Sequence, residues 1–261
     1  MNDTEKRIEK IKEFWNQQAE KHSADLAATM PDPLAKELEL QALCRVLDPA
    51  LDTLEAGCGN GYNLFYFVET FSGRLVGFDY APAMVAAANE RLSQTDNGAR
   101  MSFHVANVLD DLTFLGQFPQ IFTDRCLINL PSLDLQIDAI TNLSRILVTG
   151  GRLVLLECSL QAQQRLNGLR ERVGLDPIPY HWHNLYLDES EFRRRIPASL
   201  RLIAIDNFSS LYYVISRVFN AKLTPKGQAP DYFAEINKIA RQLPSMGDYG
   251  PHKVFVLEKK R

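Results

Sequence analysis

Short apolar runs alternate along the chain with longer segments whose apolar residues recur at helical spacing. Such runs are typical of strands buried on both faces, and the segments between them are typical of helices that cover a parallel sheet. The pattern predicts strands at residues 51–56, 74–79, 101–105, 121–127 and 152–157. It predicts helices at residues 62–69 and 136–147, the second of them closed by Gly150 and Gly151. Strands that alternate with helices indicate an α/β fold around a mostly parallel sheet.

Residues 1–48 precede the first predicted strand and carry two helical stripes. The first stripe consists of Ile8, Ile11, Phe14 and Trp15, and the second of Leu38, Leu40, Leu43 and Val46. Breaker residues between Thr29 and Pro33 separate the two predicted helices. We therefore expect two amphipathic helices in front of the sheet.

Two insertions interrupt the later part of the chain. Residues 158–190 begin with a predicted helix that ends at Gly174, and residues 209–251 separate the last two predicted strands. The second insertion carries two apolar stripes, Leu211, Val214, Ile215 and Val218, and then Phe233, Ile236, Ile239 and Leu243. These stripes predict two further helices. We expect both insertions to form a helical cap over a ligand site, although core packing or a dimer contact explains the stripes equally well.

Glycines at alternate positions follow the first predicted strand in the segment Glu55–Gly61, Glu-Ala-Gly-Cys-Gly-Asn-Gly. They let the backbone turn tightly and approach a ligand where a Cβ atom would collide. A helix that begins at Tyr62 offers unpaired backbone N–H groups. Dinucleotide-binding loops carry Gly-x-Gly-x-x-Gly, and reading from Gly57 puts Tyr62 in place of the third glycine. The turn therefore predicts a nucleotide-like cofactor without a pyrophosphate.

Several motifs in order across residues 51–157 resemble the class I S-adenosylmethionine-dependent methyltransferases. Glu55–Gly61 resembles the first motif of that family, and Asp79 follows at the end of the second predicted strand. The segment 145–154 is similar to the family signature around the fifth strand, with Thr149 where proline is commoner. The resemblance implies a doubly wound, mostly parallel seven-stranded sheet with helices on both faces. It also implies an N-terminal helical lid at residues 1–48 on a main domain at 49–261.

The same resemblance implies S-adenosyl-L-methionine as the methyl donor and S-adenosyl-L-homocysteine as the product. An acid at the position of Asp79 can accept hydrogen bonds from two ribose hydroxyls. Asn107 stands where the family usually has an aspartate that contacts the adenine amino group, and its side-chain oxygen can still accept that bond. Arg125 is expected near the methionyl part of the cofactor. We expect cofactor contacts from Glu55, Gly57, Cys58, Gly59, Gly61, Asp79, Tyr80, Met84, Asn107, Val108 and Arg125.

The acceptor site is expected in the stretch Tyr180–Asn184, Tyr-His-Trp-His-Asn, because its polar groups on both faces suit a loop that lines a polar pocket. A histidine can take the proton of a hydroxyl acceptor, so His183 is our first candidate for a catalytic base and His181 the second. Arg217 can clamp an anionic group. The predicted acceptor contacts are Trp15, Glu157, Tyr180, Asn184, Tyr212, Tyr213 and Arg217.

Composition and charge limit the classes of molecule that this chain is expected to bind. The net charge of −3 and the sequence pI near 6.0 give no basic footprint for nucleic acid. No apolar run approaches the length of a membrane span, and no apolar leader opens the chain, so we expect a cytoplasmic protein. The 4 cysteines lack the spacing of a zinc site, and the pair His181 and His183 has no third ligand beside it. We expect no metal.

We conclude from the sequence that the chain methylates a small polar molecule, which an arginine such as Arg217 would recognise if it is anionic. Oxygen is the favoured acceptor over nitrogen, and a monomer or homodimer is expected. Two alternatives stay open: a methyltransferase acting on RNA or protein, and a non-catalytic protein that binds S-adenosylmethionine or S-adenosylhomocysteine. A nicotinamide dehydrogenase is a remote option.

Overall fold

The computed structural model describes residues 2–23 and 25–261; of the predicted N-terminal segment, Met1 and Ala24 lie outside the described residues. The strands are β1 (Thr53–Ala56), β2 (Leu75–Asp79), β3 (Met101–Val105), β4 (Phe118–Asp124), β5 (Leu147–Cys158), β6 (Leu200–Asp206) and β7 (His252–Lys259). The helices are α1 (Asp3–His22), α2 (Pro33–Val46), α3 (Tyr62–Phe67), α4 (Pro82–Ser93), α5 (Leu133–Arg145), α6 (Leu160–Arg172), α7 (Glu189–Arg195), α8 (Ser210–Val214), α9 (Asn220–Leu223) and α10 (Glu235–Gln242). A π-helical turn, Ile215–Phe219, joins α8 to α9.

The strands form one seven-stranded sheet in the order β3-β2-β1-β4-β5-β7-β6. The pairs among β1 to β5 are parallel, and β7 runs antiparallel to both β5 and β6. This arrangement confirms the predicted fold class. The strand order reverses beside β1, and in open α/β sheets the carboxyl ends of the strands at such a reversal form the ligand crevice.

Helices cover both faces of the sheet, which explains why its strands are apolar throughout. On one face α5 and α7 pack against the strands through Leu143, Phe192 and Phe255. On the other face Leu43 of α2 and Phe67 of α3 lie in the second apolar cluster. The predicted strands β2 and β3 match the structure closely, because their apolar runs end at clear polar or turn signals.

Two predicted boundaries were wrong. The fourth strand was expected to reach Leu127, but it ends at Asp124, because Arg125 turns the backbone out of the sheet with a φ of 57°. Gly150 and Gly151 were expected to close α5, which ends earlier at Arg145. Both glycines lie inside β5, where the pairing with β4 is irregular and Gly150 has a φ of 77°.

The second stripe of the late insertion faces outward. Phe233 and Ile239 are each 58% exposed and Leu243 is 44% exposed. The side chains that α10 buries are those of Asn237 and Ala240. Asn237 is held there because its side-chain amide donates to the carbonyls of Asp231 and Tyr232, each at 3.1 Å. Amide hydrogen bonding, rather than the apolar stripe, therefore decides which face of α10 is buried.

A buried network of charges joins α2 to the end of β4. Nζ of Lys36 contacts Oδ2 of Asp124 and lies 3.3 Å from Oε2 of Glu39. Nε of Arg125 lies 3.4 Å from Oε1 of Glu39 and 3.2 Å from Oδ1 of Asp124. Two cations thus face two anions with no bulk water between them.

The ionisation of this network follows from the pairing. Burial alone would favour the neutral forms, but Lys36 and Arg125 hold the pKa of Asp124 well below its usual range. Burial would also lower the pKa of Lys36, and the charges of Asp124 and Glu39 outweigh it and raise that pKa. The amide of Asn63 adds a neutral bridge, since it donates to Glu55 at 2.6 Å and to Asp124 at 3.0 Å.

We expect Lys36→Met to lower the free energy of unfolding by about 3–5 kcal/mol, because it leaves buried carboxylates without their ammonium partner. Urea denaturation followed by circular dichroism measures the change. Lys226→Met is the matched control, because Lys226 is exposed and its loss should change stability by less than about 0.5 kcal/mol. Equal stabilities of the two variants would contradict a structural role for the network.

Candidate active site

A cavity of about 470 Å³ lies over the carboxyl ends of β1, β2, β4 and β5. The glycine turn after β1 contributes Gly57 and Gly59 to its lining, and β2 contributes Asp79. A smaller pocket of about 40 Å³ adjoins it and shares Gly57, Asp79 and Tyr80 with the cavity. The two spaces together run along the crevice that the strand order predicts.

The glycine turn is tight because its glycines adopt conformations that other residues avoid. Gly57 has a φ of 73°, and a Cβ atom there would lie 2.6 Å from Sγ of Cys126. Gly61 has a φ of 77°, and a Cβ atom there would lie 2.7 Å from the ring of Phe103. Gly57 and Gly59 reach the cavity, whereas Gly61 lies behind the turn and begins α3.

Asp79 connects the end of β2 to the glycine turn. Its Oδ2 accepts a hydrogen bond from the backbone N–H of Gly59, and its Oδ1 accepts one from Ala81, both at 2.9 Å. Burial raises the pKa of Asp79 to about 6, although these backbone N–H groups oppose the shift. The bonds from Gly59 and Ala81 leave each carboxylate oxygen with a further acceptor position.

Besides Gly61, two of the predicted cofactor residues lie behind the turn and do not line the cavity. Oε1 of Glu55 accepts the bond from Asn63, and burial together with the charge of Asp124 raises the pKa of Glu55 well above its usual value. Cys58 is buried in the apolar cluster beneath the turn and packs against Gly77. Both side chains support the loop from within.

The remaining predicted cofactor residues lie along the crevice. Tyr80 and Met84 line the cavity, while Asn107 and Val108 line the smaller pocket. Oδ1 of Asn107 accepts the backbone N–H of Leu109 at 3.1 Å and keeps a second lone pair. Within the part of the chain that the structure describes, the buried hydroxyl of Tyr80 has no hydrogen-bond partner.

Arg125 lies between the cavity and the charge network. Its Nη1 donates to the carbonyl of Thr29 at 3.1 Å, and its Nε faces Glu39 and Asp124. Burial alone would lower the pKa of its guanidinium, but the two carboxylates raise it. Arg125 is therefore a fixed positive charge at the end of β4.

Helix α1 forms one wall of the cavity. Nε1 of Trp15 donates to Oδ1 of Asn129 at 3.1 Å, and the ring of Phe14 stacks on that of His183 with 4.6 Å between centroids. Nearer its start, the helix meets the loop after α6, because Lys10 lies 4.8 Å above the ring of Trp182. Aromatic contacts thus fasten α1 to the 180–186 loop.

His183 lies at the centre of this wall. Its ring is parallel to that of His181 at 5.6 Å and both line the cavity. Burial, and secondarily the neighbouring His181, lowers the pKa of His183 to about 4. Its Nδ1 is buried and meets no hydrogen-bond partner among residues 2–23 and 25–261. The imidazole is therefore neutral near pH 7 and offers a free nitrogen.

The other residues of that loop divide between cavity and surface. Asn184 lines the cavity, and among the described residues its buried Oδ1 lacks a hydrogen-bond partner. Tyr180 does not line the cavity: it is 44% exposed and packs its ring against Tyr186, with 5.0 Å between centroids. Tyr186, which the sequence reasoning did not select, does line the cavity.

Glu157 is placed differently from the sequence-based expectation that it faces the acceptor. It is fully buried, and its Oε1 accepts bonds from Thr123 at 2.8 Å and from the N–H of Leu127 at 2.9 Å. Burial raises the pKa of Glu157 to about 7, against the effect of these bonds. The side chain points beneath the turn that follows β4 and holds its backbone, so it does not line the cavity.

The late insertion contributes a cation and an aromatic ring. Arg217 pairs with Asp32 and lies over the rings of Tyr213 at 5.1 Å and Tyr232 at 4.6 Å. Arg217 and Tyr213 line the cavity, whereas Tyr212 lies behind them and donates its hydroxyl hydrogen bond to Asp32 at 2.9 Å. Nη1 of Arg217 is buried and finds no partner in the described chain.

Sequence reasoning missed Asp32, Glu39 and His252. Asp32 caps α2 and holds Arg217, and a signal for it exists, because an aspartate between prolines is a typical N-cap. Glu39 interrupts the apolar stripe of α2, which is also a readable signal. His252 is the first residue of β7 and lines the cavity.

Two general properties complete the description. Over the described residues, no group of three His, Cys, Asp or Glu side chains is arranged to hold a metal ion. None of the helices of residues 2–23 and 25–261 has the length and apolar content needed to cross a bilayer.

Residues 53–151 match the sequence model of a family described as a methyltransferase domain. No curated protein matches the chain. The structure resembles that of geranyl diphosphate C-methyltransferase from Streptomyces coelicolor A3(2), crystallised with Mg²⁺, geranyl diphosphate and S-adenosylhomocysteine. The TM-score is 0.62 at 16% identity, with 98% of each chain covered.

Two further solved structures have the same fold. The CcbJ methyltransferase from Streptomyces caelestis gives a TM-score of 0.58 at 16% identity and covers 88% of this chain and 91% of its own. The N-methyltransferase NodS from Bradyrhizobium japonicum WM9, in complex with S-adenosylhomocysteine, gives a TM-score of 0.55 at 16% identity. The match covers 94% of this chain and 98% of the NodS chain. The family match identifies residues 53–151 as a methyltransferase domain, and the sequence motifs, the strand order and the solved structures agree on the Rossmann-like fold of class I S-adenosylmethionine-dependent methyltransferases.

Proposed function

We propose that this methyltransferase transfers the methyl group to an oxygen atom of a small polar molecule that carries an anionic group. The observation that carries the proposal is a single cavity whose lining includes the glycine turn and Asp79 together with Arg217 and His183. Its volume of about 470 Å³ is within the range of small-molecule sites.

The residues along the crevice fit S-adenosylmethionine, which when bound supplies an electrophilic methyl group. Asp79 has two acceptor positions for the ribose hydroxyls, and Asn107 lies in the smaller pocket where the adenine amino group is expected. The unpartnered hydroxyl of Tyr80 offers a further polar contact. Gly57 and Gly59 have no side chains, so the ligand can approach the backbone there. Glu55, Cys58 and Gly61 support the turn from behind.

A second group of lining residues favours an anionic acceptor. Nη1 of Arg217 is a buried donor without a partner, and a carboxylate or phosphate would satisfy it. Asn184 and His183 offer unpartnered polar atoms in the same cavity, which can orient a hydroxyl. Buried polar atoms normally have partners, so three such atoms in one cavity support a polar ligand there.

The enclosure of the cavity supports a small acceptor over a macromolecule. We propose that α1 is a lid, with Trp15 and Phe14 facing the ligands, and that the segments after β5 and β6 cap the acceptor end. A folded protein or an RNA duplex would have to displace these walls. The solved structures of similar fold include enzymes whose names describe small-molecule methylation, and this agrees with the proposal.

Asp79→Ala should weaken binding of S-adenosylhomocysteine by roughly 2–4 kcal/mol, because it removes the acceptors for two ribose hydroxyls. Isothermal titration calorimetry measures this, with Asp138→Ala as control for loss of an exposed acid. If Asp79→Ala binds as tightly as the wild type, the proposed cofactor position is wrong.

Cofactor affinity should also fall as the pH drops through about 6, the pKa of Asp79 in the free protein. The ionised carboxylate is the form that accepts both ribose hydrogen bonds, so each pH unit below this value should weaken binding by up to about tenfold. Calorimetry across this range measures the effect. Glu157, with a pKa of about 7, titrates nearby, so Asp79→Asn serves as the control and should abolish the acid-side loss.

Labelled methyl groups should enter the anionic fraction of a cell metabolite extract when the enzyme is supplied with [methyl-¹⁴C]S-adenosylmethionine. For the labelled acceptor, Arg217→Lys should raise KM by about tenfold or more with kcat less affected, because lysine keeps the charge opposite Asp32 but loses the bidentate fork. Arg172→Met, at an exposed position, is the control. Label confined to uncharged products, or to RNA or protein, would reject the proposed acceptor.

A further inference from the structure

Three side chains hold the guanidinium of Arg217 at the cavity wall. Arg217 lies in the π-helical turn Ile215–Phe219, and such turns are frequent at functional sites. Its Nη2 donates to the carboxylate of Asp32, and its guanidinium lies over the rings of Tyr213 and Tyr232. Nη1 is buried and, within the described chain, has no hydrogen-bond partner. Nη1 is thus a nitrogen of this fixed cation that a bound acceptor can engage.

The carboxylate of Asp32 is itself held in place by two donors besides Arg217. Its side chain is 2% exposed, and its Oδ1 accepts the backbone N–H of Ala35 at 3.0 Å. The hydroxyl oxygen of Tyr212 lies 2.9 Å from Oδ1 and 3.0 Å from Oδ2. Burial, and then the charge of Asp32, raises the pKa of Tyr212, so this hydroxyl stays protonated and donates. Asp32 and Arg217 therefore form a buried ion pair that is attached to the start of α2.

The charges that line the cavity are already paired. Over the described residues, the lysines and arginines of the lining are Arg125 and Arg217. Arg125 faces the carboxylates of Glu39 and Asp124, and Arg217 faces that of Asp32. Each cation of the described lining therefore has an anion beside it before a ligand binds.

Neighbouring groups add no positive charge to the lining at pH 8. Burial raises the pKa of Asp79 to about 6, so it is an anion there, and its bonds come from backbone N–H groups. Burial lowers the pKa of His183 to about 4, and an unperturbed histidine is also neutral at pH 8. Arg170 donates to the backbone carbonyl of Arg217 but does not line the cavity.

Desolvation then separates a carboxylate from a phosphate. The cost of taking an ion out of water grows with the square of its charge, so a phosphate dianion costs about four times as much as a carboxylate in the same cavity. Its attraction to one guanidinium only doubles. A cation without a counter-ion could offset more of that cost, but Arg217 is paired with Asp32. The site therefore favours a monoanion.

We propose that the anionic group of the acceptor is a carboxylate bound at Nη1 of Arg217, and that Asp32 sets this preference by positioning Arg217 and balancing its charge. The inference rests on the proposed function, which requires an anionic acceptor and leaves a carboxylate and a phosphate open. Asp32 acts through Arg217 and is therefore a positioning residue. A merely structural role of Asp32 would affect the binding of both anions alike, whereas its charge disfavours the dianion more.

Benzoate and phenyl phosphate test the preference, because they share a phenyl ring and differ in charge. At pH 8 the phosphate is mostly doubly ionised. NMR titration of the enzyme–S-adenosylhomocysteine complex measures both dissociation constants. Benzoate should bind the wild type at least about tenfold more tightly than phenyl phosphate. Arg217→Met combined with Asp32→Asn, which leaves neither partner of the ion pair charged, should weaken benzoate binding by about tenfold or more.

Asp32→Asn alone should raise the affinity for phenyl phosphate relative to benzoate by about tenfold or more, because Arg217 then keeps its charge without a counter-ion. Asparagine is a good N-cap, so α2 should keep its start. Asp32→Ser, which also supplies an N-cap, covers the case that Asp32→Asn does not fold. Tyr212→Phe is the matched control: it removes a hydrogen bond to the same carboxylate without changing a charge, and it should keep the wild-type preference.

The outcomes separate this inference from the proposed function. If neither anion binds the wild-type complex, the anionic acceptor is wrong and the inference fails with it. If phenyl phosphate binds the wild type as tightly as benzoate, or if methyl-labelled products lose charge on phosphatase treatment, the carboxylate assignment alone is overturned. Benzoate binding that survives in the double variant also overturns it. An unchanged preference in Asp32→Asn and Asp32→Ser overturns the role of Asp32.

Discussion

The contact between the Lys36 ammonium and the Asp124 carboxylate is the interaction on which the rest of the site depends. It attaches α2 to the end of β4, and with Glu39 and Arg125 it balances charges that would be unstable alone in the protein interior. Arg125 leaves the sheet from this anchored point with a positive φ. The position of Arg125 therefore sets the course of the turn that follows β4 at the edge of the cavity.

The same network connects the scaffold to the chemistry. Glu39 faces Lys36 and Arg125 on one side and His252 on the other, so a single carboxylate contacts both the charge network and a histidine that lines the cavity. Asn63 extends the network to Glu55 beneath the glycine turn. The glycine turn and the His252 side of the cavity therefore share one continuous set of buried polar contacts, and their geometries are coupled through it.

Local signals explain what the sequence predicted well. The glycine turn and Asp79 belong to one strand–helix–strand unit, and the bond from Gly59 to Asp79 spans only 20 residues of the chain. The remaining site depends on contacts between distant segments, as with Tyr212 and Asp32 or His252 and Glu39. Glu157 shows most clearly where sequence-based prediction fails. Its position at the end of a strand was predictable, but the hydrogen bonds from the backbone of the turn after β4 to its carboxylate were not. For α10, the hydrogen bonds of the buried Asn237 decide which face of the helix is buried, and the apolar stripe does not.

The close approach of Gly57 to Cys126 has a consequence for redox chemistry. Cys126 lies at the cavity wall with its sulfur against the glycine turn, and burial raises the pKa of its thiol well above the usual value. The thiol is therefore protonated and a poor nucleophile toward oxidants and alkylating reagents. An oxygen atom or an alkyl group added to that sulfur would extend into the cofactor crevice or push on the turn. Chemical modification of Cys126 would therefore disturb the contact that shapes the glycine turn.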